Sequence, residues 1–535
     1  MTLIAGVRRA LVVVALALPL VPLLGLVAAS LAPAPVLFPG SGEGSTWSSL
    51  LSHPGGGLGP LPLSALLALC VAALALPLGT LFAWAERRWV YPGARFLCVL
   101  TLVPLAIPSY VLAGTVRQAL GPGGWLGGPL GLPTFAGFGA AVAVLTLTTT
   151  PYVQLLVGAA LARSGADEEE AARTLGARGW RLAWVAILPR LRPALAFSLV
   201  LVQLYVVSDF GAVAVLDCRV LTWRLYQAVN LGRFDLALTL ACGVALLTIP
   251  LLIVARLVRG RKDASGEGSS GQRVVARRRP SALALCGVLP LQLLLGFLGG
   301  LLPVLTLAGW VWEGVARGLP FAGIGEALWT SVWLSVSGAL LTTGLALAPA
   351  WISIRSRGFG AGLAEQGVYL ASSLPGVLLA FGLMLFTLHG CRVLGFNEVY
   401  GWILGTGGLL FVGYAIRFLV DAFACLQTGV ALLDSDLEES ARSLGAGAGR
   451  LGREVIAPQL APTAGVAFLI CALAIVKELP VTLLLGGPVG VRPLSFRIYD
   501  RYTEALYHDA GLAGLAVVVF GVCGFALTLW SRRHA

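Results

Sequence analysis

The sequence predicts an all-α membrane protein of about 12 transmembrane helices, arranged as two parallel six-helix halves. Three observations predict it: the composition, a series of long apolar runs, and a polar loop that occurs twice at a fixed spacing. Of 535 residues, 58% are hydrophobic and 12% charged, with mean hydropathy +0.88. Soluble domains are about 45–50% apolar and about 25% charged. So apolar a chain has no reason to stay solvated, which excludes disorder. Nine scattered cysteines are too sparse for a secreted disulfide scaffold. The net charge of +12 does not point to nucleic acid, because the basic residues, all Arg except Lys262 and Lys477, cluster between apolar runs.

In chain order the apolar runs cover 10–32, 61–85, 96–116, 134–162, 193–216 and 235–255, then 282–312, 326–352, 368–390, 401–427, 461–487 and 510–531. A crossing needs about 20 apolar residues. Inside a bilayer every backbone N–H and C=O must be satisfied within the protein, so these runs read as helices. They are too continuous for barrel strands, which alternate over about ten residues. The first run follows Arg8 and Arg9 and exceeds the usual signal-peptide core of about 7–15 residues, so it reads as an uncleaved helix. With the N-terminus placed in the cytoplasm and the spans alternating, 26 of the 37 basic residues fall in inward loops, nine in outward loops, and Arg417 and Lys477 within spans. That asymmetry obeys the positive-inside rule and predicts a multi-pass protein with both termini cytoplasmic.

After the sixth run, RLVRGRKDASGEGSSGQRVVARRRP is polar, basic and Gly/Ser-rich, and reads as a cytoplasmic linker over 257–281. It separates a first half, 1–256 with its core at about 61–256, from a second, 282–535 with its core at about 326–531. The halves repeat. DEEEAARTLGARGWRLAWVAILPRLRP at 167–193, after the fourth span, matches DLEESARSLGAGAGRLGREVIAPQLAP at 436–462, after the tenth, at an offset of 269. LTWRLY at 221–226 matches LSFRIY at 494–499 at an offset of 273, so the second half carries a small insertion.

Within each loop, Asp167 with Glu170 and Asp436 with Glu439 have the capping-box spacing that opens a helix. Acidic first turns suit the positive end of the helix dipole. Glu169/Arg173 and Glu438/Arg442 are favourable i,i+4 pairs. Gly176 and Gly445 end that helix or allow another surface to approach. A second short helix is expected to run toward Pro189 or Pro458 and re-enter the membrane. Each half therefore presents a helix–turn–helix knob between its fourth and fifth spans.

Glu170-Ala171-Ala172, Gly176 and Ile187-Leu188-Pro189, repeated as Glu439-Ser440-Ala441, Gly445 and Ile456-Ala457-Pro458, resemble the "EAA" loop of binding-protein-dependent ATP-binding-cassette importer permeases. Ala186 and Val455 stand where that pattern has isoleucine, Ala457 replaces its leucine, and Ser440 its middle alanine. The resemblance covers nearly the whole chain. It implies type I importer permease architecture in a bacterial inner membrane. It also implies that Glu170, Ala171, Ala172, Gly176 and Pro189, with Glu439, Ala441, Gly445 and Pro458, form two coupling loops docking on two copies of a separate cytoplasmic ATPase. An extracytoplasmic substrate-binding protein completes the implied assembly. VSDFGAVAVL at 207–216 and KELPVTLLL at 477–485 look most like ferric-iron importer permeases, with thiamine and polyamine permeases as close relatives.

No catalysis is expected of this chain. Neither Lys262, followed by Asp263, nor Lys477, followed by Glu478, fits a phosphate-binding loop, so ATP and Mg belong on the partner ATPase. No Cys/His spacing suits a bound metal, and a Cys218–Cys391 disulfide is conceivable without support. Ionisable residues within spans default to functional candidates. Asp209 and the Lys477-Glu478 pair occupy matched places, and Pro480 adds a kink. Two roles stay open for them: lining or gating a translocation path, or pairing between helices. Arg417 and Asp421, four residues apart, are expected to neutralise each other. A secondary transporter also has two six-span halves, but it does not require matched acidic knobs. An intramembrane enzyme would require clustered acid–base or nucleophilic groups, which the spans lack.

Overall fold

A computed structural model describes residues 20–31, 48–51, 58–163, 166–177, 179–263, 277–321, 323–355, 362, 365–369, 374–393, 395, 401, 403 and 405–534. The start of the first expected span, with Arg8 and Arg9, and most of the expected linker lie outside the described residues. The protein is all-α. Among the described residues nine helices are long and apolar enough to cross a membrane, or up to eleven if each of two bent pairs is one span.

Proline explains the sharper of the two bends. The expected third span is two helices, Ala94–Leu102 and Ser109–Leu120, separated by a Val103–Leu105 3-10 turn and turned 105° from each other. Pro104 and Pro108 cannot donate to a continuing ladder, and Pro108, at ψ 144°, becomes the cap of the next helix. The expected tenth span bends by 52° between Gly408–Arg417 and Leu419–Ala431, around Phe418.

Two compact units form. One gathers residues 45–227 with 239–317, and the other 1–44, 228–238 and 318–535. In the first, the Pro60–Arg88 helix packs against Gly137–Arg163 and Leu188–Ser208. In the second, Ile324–Arg355 packs against Leu419–Ala431 and Ala457–Lys477. The buried face of Pro60–Arg88 is rich in small residues, among them Ala68, Ala72, Ala75 and Ala83. Small side chains let backbones approach closely, which is how membrane helices associate without a hydrophobic driving force.

The units do not follow chain order. Val21–Leu31 packs on Gly376–Val393 within the unit of the second half. Gly25 and Gly382 touch there backbone to backbone, leaving no room for a Cβ. Conversely, Ala282–Gly296 and Leu302–Ala316 pack on the helices over 94–120 within the unit of the first half. Where the chain leaves the linker, Arg278 forms a bridge with Trp89, its N–H donating to the Arg88 carbonyl at 2.8 Å and its carbonyl accepting from Val90 at 2.9 Å. Each half's first described span is thus housed with the other half. Cys218 and Cys391 are both buried and are not joined in a disulfide.

Candidate functional site

The two matched loops fold alike. The first opens with the Ala166–Thr174 helix and the second with Ser435–Ser443. Both end in a left-handed glycine, Gly176 at φ +85° and Gly445 at φ +81°. Around Gly176, the Ala177 N–H donates to the Ala172 carbonyl at 2.9 Å and the Gly176 N–H to that of Arg173 at 3.0 Å. Around Gly445, Ala446 donates to Ala441 and Gly445 to Arg442, both at 3.0 Å. This paired pattern is the Schellman stop, which satisfies the last carbonyls of a helix and needs the positive φ that glycine adopts freely.

The helix starts differ from expectation. The cap of the second loop is Asp434, whose side chain accepts the Asp436 N–H at 2.8 Å, so Asp436 lies inside the first turn. Asp434 is extended, at ψ 112°, and its short carboxylate reaches two residues ahead, which starts the helix before the expected capping box. In the first loop Ala166 is already helical, and the Asp167 side chain lies outside the described residues.

Adjacent glutamates take opposite roles. Glu170 and Glu439 are exposed, whereas Glu169 and Glu438 are buried. Glu169 pairs with Arg88 at 2.5 Å and Arg173 at 3.6 Å. Glu438 pairs with Arg355 at 2.7 Å and Arg442 at 3.8 Å. Arg88 and Arg355 are the last residues of the two long core helices, and each guanidinium also lies 5.6 Å from a ring centre, that of Trp84 or Trp351. Each loop is therefore bolted to its core helix by a buried, charge-assisted contact. The i,i+4 pairs were legible in the sequence, but the Arg88 and Arg355 bolts were not read. Their signal was present as W-x-x-x-R at 84–88 and again at 351–355.

Beyond the glycines, Gly179–Leu182 and Ala448–Leu451 do not stand apart as the expected short helices. Each runs on through a π-turn, Ala183–Ile187 or Gly452–Ile456, into the next span. The wider π-turn opens the hydrogen-bond ladder just before Pro189 or Pro458, which have no N–H to contribute and whose rings crowd the preceding turn. Pro189, Pro458 and Ala171 are exposed, while Ala172 and Ala441 are half-buried. Among the described side chains of the two loops, the most exposed large apolar residues are Leu175, at 88%, and Leu444, at 86%, one residue before each glycine. An apolar side chain held out among charges by a rigid turn is suited to enter a partner's apolar groove.

The matched acidic residues in the fifth and eleventh spans end their helices. Leu188–Ser208 stops at Asp209 and Ala457–Lys477 at Glu478, both extended, shorter than the runs to 216 and 487 that hydropathy suggested. Each carboxylate then accepts an N–H three residues on, Asp209 from Ala212 at 2.9 Å and Glu478 from Val481 at 3.3 Å. The backbone carbonyls take hydroxyl donors, Thr222 to Asp209 at 2.9 Å and Thr482 to Glu478 at 2.8 Å. These acids therefore satisfy the backbone groups that a broken span leaves open. Pro480 is the first helical residue after the break at Glu478 and Leu479, a position that needs no N–H, and it does not kink a continuous helix. Lys477, the last residue of its helix, is half-buried. Arg417 reaches Glu478 at 3.9 Å and donates to the Leu374 carbonyl at 2.9 Å, and Asp421 lies beyond the 52° bend.

Two geometrically repeated elements thus stand out: a rigid loop displaying a leucine, and an acid-capped break within a span. The family model "Binding-protein-dependent transport system inner membrane component" matches the chain twice, over residues 75–263 and 338–534. The chain is 27% identical to the Fe(3+)-transport system permease protein FbpB 2 of Haemophilus influenzae, over 88% of this chain and 89% of that protein. It is 31% identical to the molybdenum transport system permease protein ModB of Escherichia coli, over 38% of this chain and 95% of that one. It is 34% identical to the sulfate transport system permease protein CysW of Escherichia coli, over 29% and 54% respectively. With one model matched in each half and each match containing one of the two loops, the chain belongs to the family of binding-protein-dependent transport system inner membrane components.

Proposed function

We propose that this chain alone forms the translocation pathway of an ATP-driven importer, with its two loops as the docking handles of two copies of a separate ATPase. The duplicated, glycine-stopped loop displaying Leu175 or Leu444 carries the reading. On this reading Glu170, Ala171, Ala172, Gly176 and Pro189 face one ATPase copy, and Glu439, Ala441, Gly445 and Pro458 the other. The loops and both termini lie in the cytoplasm, consistent with the arginine asymmetry. A loaded binding protein docks at the opposite face, and the two partners favour different conformations of the permease. The breaks at Asp209 and at Lys477, Glu478 and Pro480 border the path and act as its gate. ATP and Mg are bound by the ATPase.

The cargo is ferric iron. Support comes from the Haemophilus permease, which is matched over nearly the full length of both chains, whereas the sulfate and molybdenum permeases match parts of this one. The binding protein makes most of the selection. Vesicles holding the chain, its ATPase and its binding protein are expected to accumulate iron when supplied with ATP, and not sulfate, molybdate, thiamine or polyamines. Accumulation of solute by the chain alone from an ion gradient would make it a secondary transporter instead.

A further inference from the structure

The Pro60–Arg88 and Ile324–Arg355 helices are each fastened at both ends, and the fastenings match. Near the start of the first, buried Ser64 donates its hydroxyl to the Pro60 carbonyl at 2.7 Å and accepts the Leu221 N–H at 2.9 Å. Near the start of the second, buried Ser331 accepts the Leu494 N–H at 2.7 Å. Leu221 and Leu494 open the Leu221–Asn230 and Leu494–Thr503 helices, so these N–H groups are among the donors that a helix start leaves without an internal partner. At the opposite ends stand the Arg88–Glu169 and Arg355–Glu438 pairs. Serine and arginine are 24 residues apart in both helices, which is about 36 Å at 1.5 Å per residue and enough to cross the hydrocarbon of a bilayer.

We infer that these two helices are push rods, each carrying displacement of its loop directly to the short helix at the far membrane face. Arg88 and Ser64 are the positioning residues of one rod, and Arg355 and Ser331 those of the other. The inference rests on the reading of the loops as ATPase handles. Along the chain, the helices that follow the loops stop at Asp209 and Glu478 before the short helices begin, and Thr222 of Leu221–Asn230 donates to the Asp209 carbonyl at 2.9 Å as a side link in the first half. The rods run without a break past their internal prolines, Pro77 and Pro349. Burial of Ser64, Ser331, Glu169, Glu438 and Arg88 keeps water from substituting for the contacts, so a shift at one end is passed on and not absorbed. Binding coupling is reciprocal, so docking of the binding protein beside Leu221–Asn230 and Leu494–Thr503 reaches the ATPase along the same two helices.

The test uses the reconstituted complex of permease, ATPase and binding protein. Three variants are compared: Ser64→Ala with Ser331→Ala, Arg88→Gln with Arg355→Gln, and all four together. The ATPase is expected to stay bound in each. Uptake and binding-protein-stimulated hydrolysis fall roughly tenfold in either pair, and the four-site variant is no worse than the weaker pair, because links in series fail together. Independent defects this far apart would instead multiply. A fall of less than threefold, multiplying losses, or release of the ATPase from the Arg88→Gln pair overturns the rods. Should the glutamine pair fail to insert, Arg88→Lys with Arg355→Lys keeps a shortened charge contact and is expected to show partial uptake; full uptake there overturns the inference. Leu175→Asp with Leu444→Asp separates the two readings. An ATPase retained by that variant overturns the handles, whereas one lost there, with normal uptake in the rod variants, overturns the rods alone.

Discussion

Valine at both Gly176 and Gly445 is expected to release the ATPase and abolish uptake, with insertion into the membrane unchanged. A Cβ at either position meets no atom within 4 Å, so crowding plays no part. The cost is backbone strain at φ +85° and +81°, about 1–2 kcal/mol per site for an ordinary residue and more for a β-branched one. It falls on the hydrogen bonds from Ala177 to Ala172 and from Ala446 to Ala441 that close each helix end. Once those open, Leu175 and Leu444 lose their fixed presentation. Gly447 is the control. Its surroundings are equally open, but its φ of −67° suits any residue, so Gly447→Ala leaves uptake intact. Asparagine at Gly445 is better tolerated than valine, because it visits the left-handed region. Co-purification of the ATPase and ATP-driven uptake read the effect; normal co-purification with both valines in place would argue strongly against docking through these loops.

The second large effect separates neighbouring glutamates. Glu169→Ala strips Arg88 of its carboxylate while the guanidinium stays 7% exposed, and removing one partner of such a pair costs about 3–5 kcal/mol. Glu438→Ala costs less, because Arg355 keeps 26% exposure and a contact to the Leu433 carbonyl at 3.3 Å. Glu170→Ala and Glu439→Ala, on the exposed side, change stability by no more than about 0.5 kcal/mol and act only when the ATPase is present. Thermal unfolding in detergent ranks the four. Equal melting of Glu169→Ala and Glu170→Ala would refute the assignment.

That contrast also measures what the sequence made legible. Composition and run length are sums over many residues, so the all-α membrane class and most spans followed from them. The loops were visible because polar residues between apolar runs are few and their duplication is hard to mistake. Arg88 and Arg355 went unread as partners because they lie at the end of a different span, 81 and 83 residues from their glutamates, and loop periodicity carries no such information. The ends of the fifth and eleventh spans were misjudged for a related reason. Hydropathy averages across Asp209 and Glu478, whereas the backbone stops where a carboxylate can cap the next turn. The bend at Phe418 has no proline or glycine beside it, and nothing local in the sequence announces it.

The lodging of Val21–Leu31 with one body and 282–316 with the other gives the polypeptide the character of a clasp. A single cut between 264 and 276 would make two fragments, yet each packed body would still hold a helix donated by the opposite fragment. Separation would require pulling both donated helices out of their seats, so the tether can be severed without the pieces parting.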